Sequence, residues 1–205
     1  MKWEQFLADI ATVPQVFVVG PLLKGMHHAT GPTIYVDGGE QFRDTLTPDG
    51  NVPTVSVGDG DSTTTSLDKI LPKQKDYSDL TFVLQNLPPA VRHVELLGFM
   101  GGRPDHQLVN FGEVHRFLKT KTARFTTVRF DESVVAFCGG GFELELQRDF
   151  TVVVFESTPI VITGDCKYII PKPYHLQAVS SVGLSNEGFG KVHFDSVGPC
   201  FIFLV

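Results

Sequence analysis

Cysteine is scarce in this chain of 205 residues: Cys138, Cys166 and Cys200 are odd in number, far apart and without a CxxC pair. Neither a disulfide framework nor a thiolate metal site is favoured, and a reducing, cytoplasmic setting is expected. Positive charge is also in deficit. Seventeen Lys and Arg against 23 Asp and Glu leave a formal net charge of −6, so there is no basic footprint for a nucleic-acid backbone and no nucleic-acid partner is expected. Long apolar runs are missing too. No stretch approaches the ~20 residues that span a bilayer, and the N-terminal MKWEQFLADIATVPQ lacks the basic region, apolar run and small-residue cleavage site of a secretion signal. No membrane partner is expected. The motifs GxxxxGK[ST], GxGxxG and HExxH do not occur, which removes ordinary P-loop, dinucleotide-fingerprint and zincin chemistry. GLSNEGFG (183–190) fails as a nucleophile elbow because Glu187 stands where the second glycine belongs. It reads as a polar hairpin in which Ser185 and Asn186 are candidate ligand contacts.

What is present is a composition 42% hydrophobic and 20% charged, which suits one large or two small domains with real cores. Residues 16–20 (VFVVG), 33–37 (TIYVD), 54–57 (TVSV) and 94–98 (VELLG) read as short buried strands. Helix candidates lie between and after them at 78–87 and 106–119, the latter with apolar Leu108, Val109, Phe111, Val114 and Leu118. Beyond about residue 120 the texture changes. Short β-branched or aromatic segments at 123–130, 133–138, 142–146, 150–155, 160–163, 176–182, 190–195 and 200–205 are separated by Gly, Pro and Asp. The expected fold is therefore an α/β N-terminal domain with a mostly parallel sheet over residues 1–122, followed by an all-β sandwich or barrel over 123–205.

In an open parallel sheet the ligand crevice lies beyond the carboxyl ends of the strands, and this chain places its acids there. In YVDGGE (35–40), Gly38 and Gly39 are expected to supply positive φ for a tight turn around Asp37. In GDGDS (58–62), Asp59 and Asp61 repel each other unless a cation sits between them, and a hard ion such as Mg²⁺ fits. Asp59-x-Asp61-x-Thr63 after an apolar strand also matches the nucleophile loop of haloacid-dehalogenase-like phosphatases, although the second paired-acid loop of that chemistry is missing. In KDYSD (75–79), Ser78 reads as a helix cap and Asp79 as a first-turn acid. GFMGGRPDHQLVN (98–110) offers glycine-rich backbone and Arg103 to a phosphate, or else a capped helix start with an Arg–Asp pair.

Taken in order, DGG (37–39), GDGDS (58–62), KDYSD (75–79), GGRPDH with Asn110 (101–110) and SNE (185–187) resemble thiamine pyrophosphokinase from about residue 33 to the C-terminus. The resemblance implies Mg²⁺-dependent transfer of a diphosphoryl group from ATP to the hydroxyl of thiamine, giving thiamine diphosphate and AMP. It also implies a homodimer in which the α/β domain of one subunit and the β domain of the other build the site. Carried over by position, it gives Asp59, Asp61 and Asp79 as Mg²⁺ ligands with Asp37 in support. Gly38, Gly39, Arg103, His106 and Asn110 fall on the nucleotide side, while Asp105, Ser185 and Asn186 fall on the acceptor side; Asp61, Arg103 and Asp105 are the implied catalytic groups. Departures from the family pattern are Gly60 for a bulky apolar residue, Ser78 for Thr, Pro104 between Arg103 and Asp105, and Glu40-Gln41 for Ala-Asn. The sole tryptophan is Trp3, so no indole is available in the β domain, where Phe189, Tyr168 or Tyr174 is the expected substitute. Two other outcomes are compatible with these departures: a catalytically altered relative that binds a nucleotide or thiamine-like ligand, and a diphosphokinase for another alcohol such as a pterin.

Overall fold

A computed structural model describes residues 1–25, 27–46, 52–61, 65–121 and 124–205. Ser62 and Thr63 of the phosphatase-like pattern, and the expected boundary at 122/123, lie outside the described residues. The chain divides into two compact units, Met1–Glu113 and Val114–Val205.

In the first unit, strands β1 (Gln15–Val19), β2 (Thr33–Val36), β3 (Thr54–Gly58), β4 (Lys69–Ile70) and β5 (His93–Leu97) stand in the order β5-β1-β2-β3-β4. Every one of these pairings is parallel. Such strands are covered on both faces, which is why β1, β2 and β3 are near-continuous apolar runs rather than alternating ones. Helix α1 (Trp3–Asp9) precedes β1, α2 (Asp79–Asn86) precedes β5 and α3 (Pro104–Lys119) follows it. Helix α1 has no signal in the sequence because seven residues carry too little periodicity. It is held by burial of Trp3 and Phe6, with the indole 5.3 Å from the Phe82 ring. The only tryptophan is thus a core residue of this unit. Helix α3 starts two residues earlier than its apolar pattern because Pro104, with φ already set and no N–H to satisfy, takes the first helical position. Leu108 and Val109, expected on the core face, are 62% and 51% exposed, and the buried stripe begins at Phe111.

Asp68 ties the β4 edge together. Its carboxylate takes the Ser56 N–H at 2.9 Å, the Arg43 guanidinium at 2.8 Å and the Met1 ammonium at 2.8 Å. Burial alone would raise its pKa, but the ammonium, the guanidinium and the Ser56 N–H outweigh that and bring it down to about 2. A depressed carboxyl stabilises the fold fully above its unfolded pKa of about 3.9, and that stability disappears as pH falls through the folded value. Asp68→Asn is therefore expected to cost about 2 kcal/mol at neutral pH. Urea unfolding across a pH series should show the gap to wild type closing from about pH 4 towards about pH 2.

In the second unit β6 (Thr126–Phe130), β7 (Val134–Cys138), β8 (Gly140–Val153), β9 (Thr158–Cys166), β10 (Ile170–Leu176), β11 (Asn186–Ser196) and β12 (Cys200–Leu204) form one antiparallel ladder in the order β10-β9-β11-β8-β12-β7-β6. Strand β11 alternates buried and exposed without a break, the period of a sheet with one covered face. Phe137, Leu146, Phe150, Ile162, Phe194 and Ile202 belong to one core cluster. Segment 142–146 and residues 150–153 of the next segment are parts of the single strand β8, whose polar Gln147, Arg148 and Asp149 stay in the ladder because β11 pairs with them. The segment expected at 176–182 is displaced to 170–176. Pro171 and Pro173, poor strand formers in a central position, are tolerated because β10 is an edge strand. Cys138, Cys166 and Cys200 are buried free thiols. Among the described residues no helix is long and apolar enough to cross a membrane.

Candidate active site

Strand order in the first unit reverses at β1, which has β2 on one side and β5 on the other. A crevice opens at such a point beyond the carboxyl ends of the strands. Here it is a cleft of about 540 Å³, lined by residues that directly follow β1, β2, β3 and β5 and by the start of α2 and α3.

Asp37 leaves β2 into a short 3-10 turn (Asp37–Phe42) with φ +45°, and is buried. The positive φ expected of Gly38 or Gly39 therefore falls on Asp37 itself, a strained conformation of the kind held at functional sites. The glycines serve close packing instead: a Cβ on Gly39 would collide with the Val19 carbonyl, and one on Gly58 would come 2.8 Å from the Asp37 Cβ. Glu40 and Gln41, the two departures after DGG, lock this turn. Glu40 pairs with Arg43 at 2.8 Å, and the Gln41 amide donates to the Gly38 carbonyl at 2.8 Å.

Across the cleft floor the β3 loop folds onto itself. The Asp61 N–H donates to Asp59 Oδ1 at 3.2 Å, and the Gly60 N–H donates to Asp37 Oδ1 at 3.2 Å. Gly60 has φ +76°, a conformation that disfavours any side chain, which accounts for glycine at a position where a bulky residue was the family expectation. Carboxylate oxygens of Asp37, Asp59 and Asp61 converge to within 4.8 Å of one another. This all-oxygen set fits a hard divalent cation such as Mg²⁺.

Asp79 also lines the cleft but stands apart from that trio, on the far side of a residue the sequence reading passed over. Lys75 Nζ lies 2.5 Å from Asp59 Oδ2 and 3.1 Å from Asp79 Oδ1, with its side chain only 7% exposed. The contact to Asp79 is ionic without hydrogen-bond alignment, so Asp79 Oδ1 is buried with no hydrogen-bond donor. The signal for Lys75 was its i,i+4 spacing to Asp79 within KDYSD. Burial pushes the Asp79 carboxyl up, aided by the nearby Asp59 and Asp37 charges and opposed by Lys75. The Lys75 hydrogen bond holds Asp59 below its ordinary value, and although burial works against the charged ammonium, Asp59 and Asp79 together raise Lys75. Ser78 caps α2, its Oγ accepting the Thr81 N–H at 3.0 Å.

The loop after β5 has positive φ at Gly98, Gly101 and Gly102. One of its amides is already used, since the Gly101 N–H donates to Gln107 Oε1 at 3.1 Å. Arg103, His106 and Asn110 line the cleft, and Asn110 Nδ2 reaches the Phe99 carbonyl at 3.5 Å. Arg103 and Asp105 form an exposed two-point pair, Nε to Oδ1 at 3.1 Å and Nη2 to Oδ2 at 2.5 Å. The guanidinium holds the Asp105 carboxyl down to about 2.

Ser185 and Asn186 lie in the second unit at the start of β11. Ser185 is exposed with φ +55°. Asn186 is buried and its amide locks a turn: Oδ1 accepts the N–H groups of Tyr168 and Glu187, both at 2.9 Å, and Nδ2 donates to the Tyr168 carbonyl at 2.7 Å. Its amide thus makes three contacts to neighbouring backbone, a fold role that the sequence did not reveal. Phe189, Tyr168 and Tyr174 are exposed. His115 is half-buried in α3, edge-on to Phe155, its ring centroid 5.8 Å away.

Converging carboxylates at the ends of a parallel sheet and a glycine-rich loop that carries an arginine line one cleft, a combination whose chemistry suits a polyanion accompanied by a cation. Solved structures of known proteins have this architecture. Thiamine pyrophosphokinase from Bacillus subtilis is 23% identical with a TM-score of 0.68, over 94% of this chain and 99% of that one. The Candida albicans thiamin pyrophosphokinase is 11% identical with a TM-score of 0.66, over 98% and 90% of the two chains. For yeast thiamin pyrophosphokinase the values are 12% and 0.64, over 98% and 89%. No family model matches the sequence, and no curated protein matches it. The chain has the thiamine pyrophosphokinase fold.

Proposed function

We propose that the protein catalyses Mg²⁺-dependent transfer of diphosphate from ATP to the hydroxyl of thiamine, giving thiamine diphosphate and AMP. The observation that carries this reading is the convergence of Asp37, Asp59 and Asp61 in the cleft of this fold. Asp37, Asp59 and Asp61, whose oxygens converge, would hold Mg²⁺, and Asp79, paired with Lys75, would join them. When bound, the ion neutralises phosphate oxygens and keeps them in line for displacement. Arg103 exchanges its Asp105 partner for phosphate, and the released Asp105 orients the acceptor hydroxyl. That hydroxyl oxygen then bonds to the β phosphorus, the bond from this phosphorus to the α–β bridging oxygen breaks, AMP leaves, and Asp105 takes the hydroxyl proton. Gly38, Gly39, His106 and Asn110 shape the nucleotide side, and positioning by these groups is most of what phosphoryl-type transfer asks of a protein. The first unit is then the nucleotide-binding part, and the second, as a β sandwich or barrel, is the acceptor-binding part, with Ser185 as its exposed contact and Asn186 fixing the adjoining turn through the Tyr168 and Glu187 backbone. A cytoplasmic homodimer completes the reading.

A second acceptor is favoured by one observation: Trp3 is buried in the first unit, and among the described residues of the second unit the exposed Phe and Tyr rings are Phe189, Tyr168 and Tyr174. Another small alcohol, such as a pterin, then replaces thiamine in the same reaction. The phosphatase reading is disfavoured because both oxygens of Asp59, the nucleophile it requires, are engaged by Lys75 and the Asp61 N–H. Incubation with ATP, Mg²⁺ and each acceptor in turn separates these outcomes. Thiamine diphosphate supports the first reading, turnover with the pterin alone supports the second, and nucleotide binding without turnover marks a catalytically altered relative.

A further inference from the structure

None of the roles above explains the placement of Lys75 in the cleft. Its ammonium is nearly enclosed between two acids, in ion-pair range of both Asp59 and Asp79. At 2.5 Å from Asp59 Oδ2, it stands close to where an ion coordinated by that oxygen at about 2.1 Å would sit. An ammonium and a divalent cation cannot share that oxygen at such separations without strong repulsion. Lys75 precedes the α2 cap Ser78 rather than belonging to the helix, carries a flexible four-carbon stem, and lines the cleft.

We infer that Lys75 is an internal counter-ion. In the ligand-free protein it occupies the cation position between Asp59 and Asp79, and when a divalent ion binds it swings from Asp59 towards the bound polyphosphate. It is a positioning residue, and the inference rests on the reading of the cleft as a metal–polyphosphate site. The exchange makes the ion and the polyphosphate bind cooperatively. An ion alone must expel Lys75 without a new partner for it, whereas an ion arriving with a polyphosphate provides one.

Opposite changes in two affinities test this. Calorimetric titration of Mn²⁺ alone into Lys75→Met should show binding at least about tenfold tighter than in wild type, because the competing cation is gone. Titration of the α,β-methylene analogue of ATP at saturating Mg²⁺ should show binding about tenfold weaker, with Lys75→Arg close to wild type. A lysine that merely braces the fold would weaken both ligands on removal, so weakening of both, or an unchanged Mn²⁺ affinity, overturns the inference. If Lys75→Met does not fold, Lys75→Gln carries the same comparison. Should wild type fail to bind the analogue, the diphosphotransfer reading fails, while the Mn²⁺ comparison still decides the role of Lys75.

Discussion

Replacing Asp61 by Asn is expected to lower kcat/KM for ATP about a thousandfold while leaving the fold intact, the size of loss seen when one charged stabiliser of a phosphate transition state is removed. Asp61 is exposed and belongs to the trio whose oxygens converge within 4.8 Å. Its backbone N–H, which supports Asp59, does not depend on the side chain. The substitution therefore takes one anionic carboxylate from the cluster and leaves the backbone bond from Asp61 to Asp59 in place. Unfolding free energy should stay within about 0.5 kcal/mol of wild type, as for exposed positions generally. Steady-state kinetics beside urea unfolding reads both effects. A large loss of stability would mean that Asp61 braces the loop, and unchanged turnover would mean that the trio is an ordinary acidic turn.

The second large effect is on folding. Gly98→Ala is expected to cost about 3–5 kcal/mol, enough to leave little folded protein. Two penalties coincide there. The residue has φ +75°, and a Cβ would run into the backbone nitrogen of Leu23, which cannot move aside as a flexible side chain would. Gly98 lets the loops after β1 and β5 approach closely enough to wall the cleft: the Gly20 N–H donates to the Leu97 carbonyl at 2.7 Å and the Leu22 N–H to the Gly98 carbonyl at 3.1 Å. Gly101→Ala is the control. It has φ +87° but open space around it, so only the left-handed backbone cost of about 1–2 kcal/mol applies. Urea unfolding of the two variants should separate collision from conformation.

These positions also show what the sequence could reveal. Strands β1, β2 and β3 were legible because a parallel sheet buries both faces and favours near-continuous apolar runs. Asp37, Asp59 and Asp61 were legible because each lies just after such a run. Less legible was everything decided by a distant partner. Nothing local to Lys75 says that it will reach Asp59, 16 positions back in the chain, and Asp37 carries a positive φ because neighbouring Gly58 leaves room for it. Polar Gln147-Arg148-Asp149 looked like the end of a strand until β11 was paired along them, and Pro171 and Pro173 argued against a strand that only an edge position permits. Asn186 looked like an open ligand contact, but the Tyr168 backbone that engages its amide lies 18 residues away. Gly60, Glu40, Gln41 and Pro104, which read as departures from a family pattern, each have a local structural reason. Only the missing indole still bears on the choice of acceptor.

Separation of the products formed from ATP, Mg²⁺ and thiamine by anion-exchange chromatography tests the central claim most directly. Diphosphate transfer predicts AMP and thiamine diphosphate in equal amounts, both abolished in Asp61→Asn. ADP or inorganic phosphate released without AMP would contradict it.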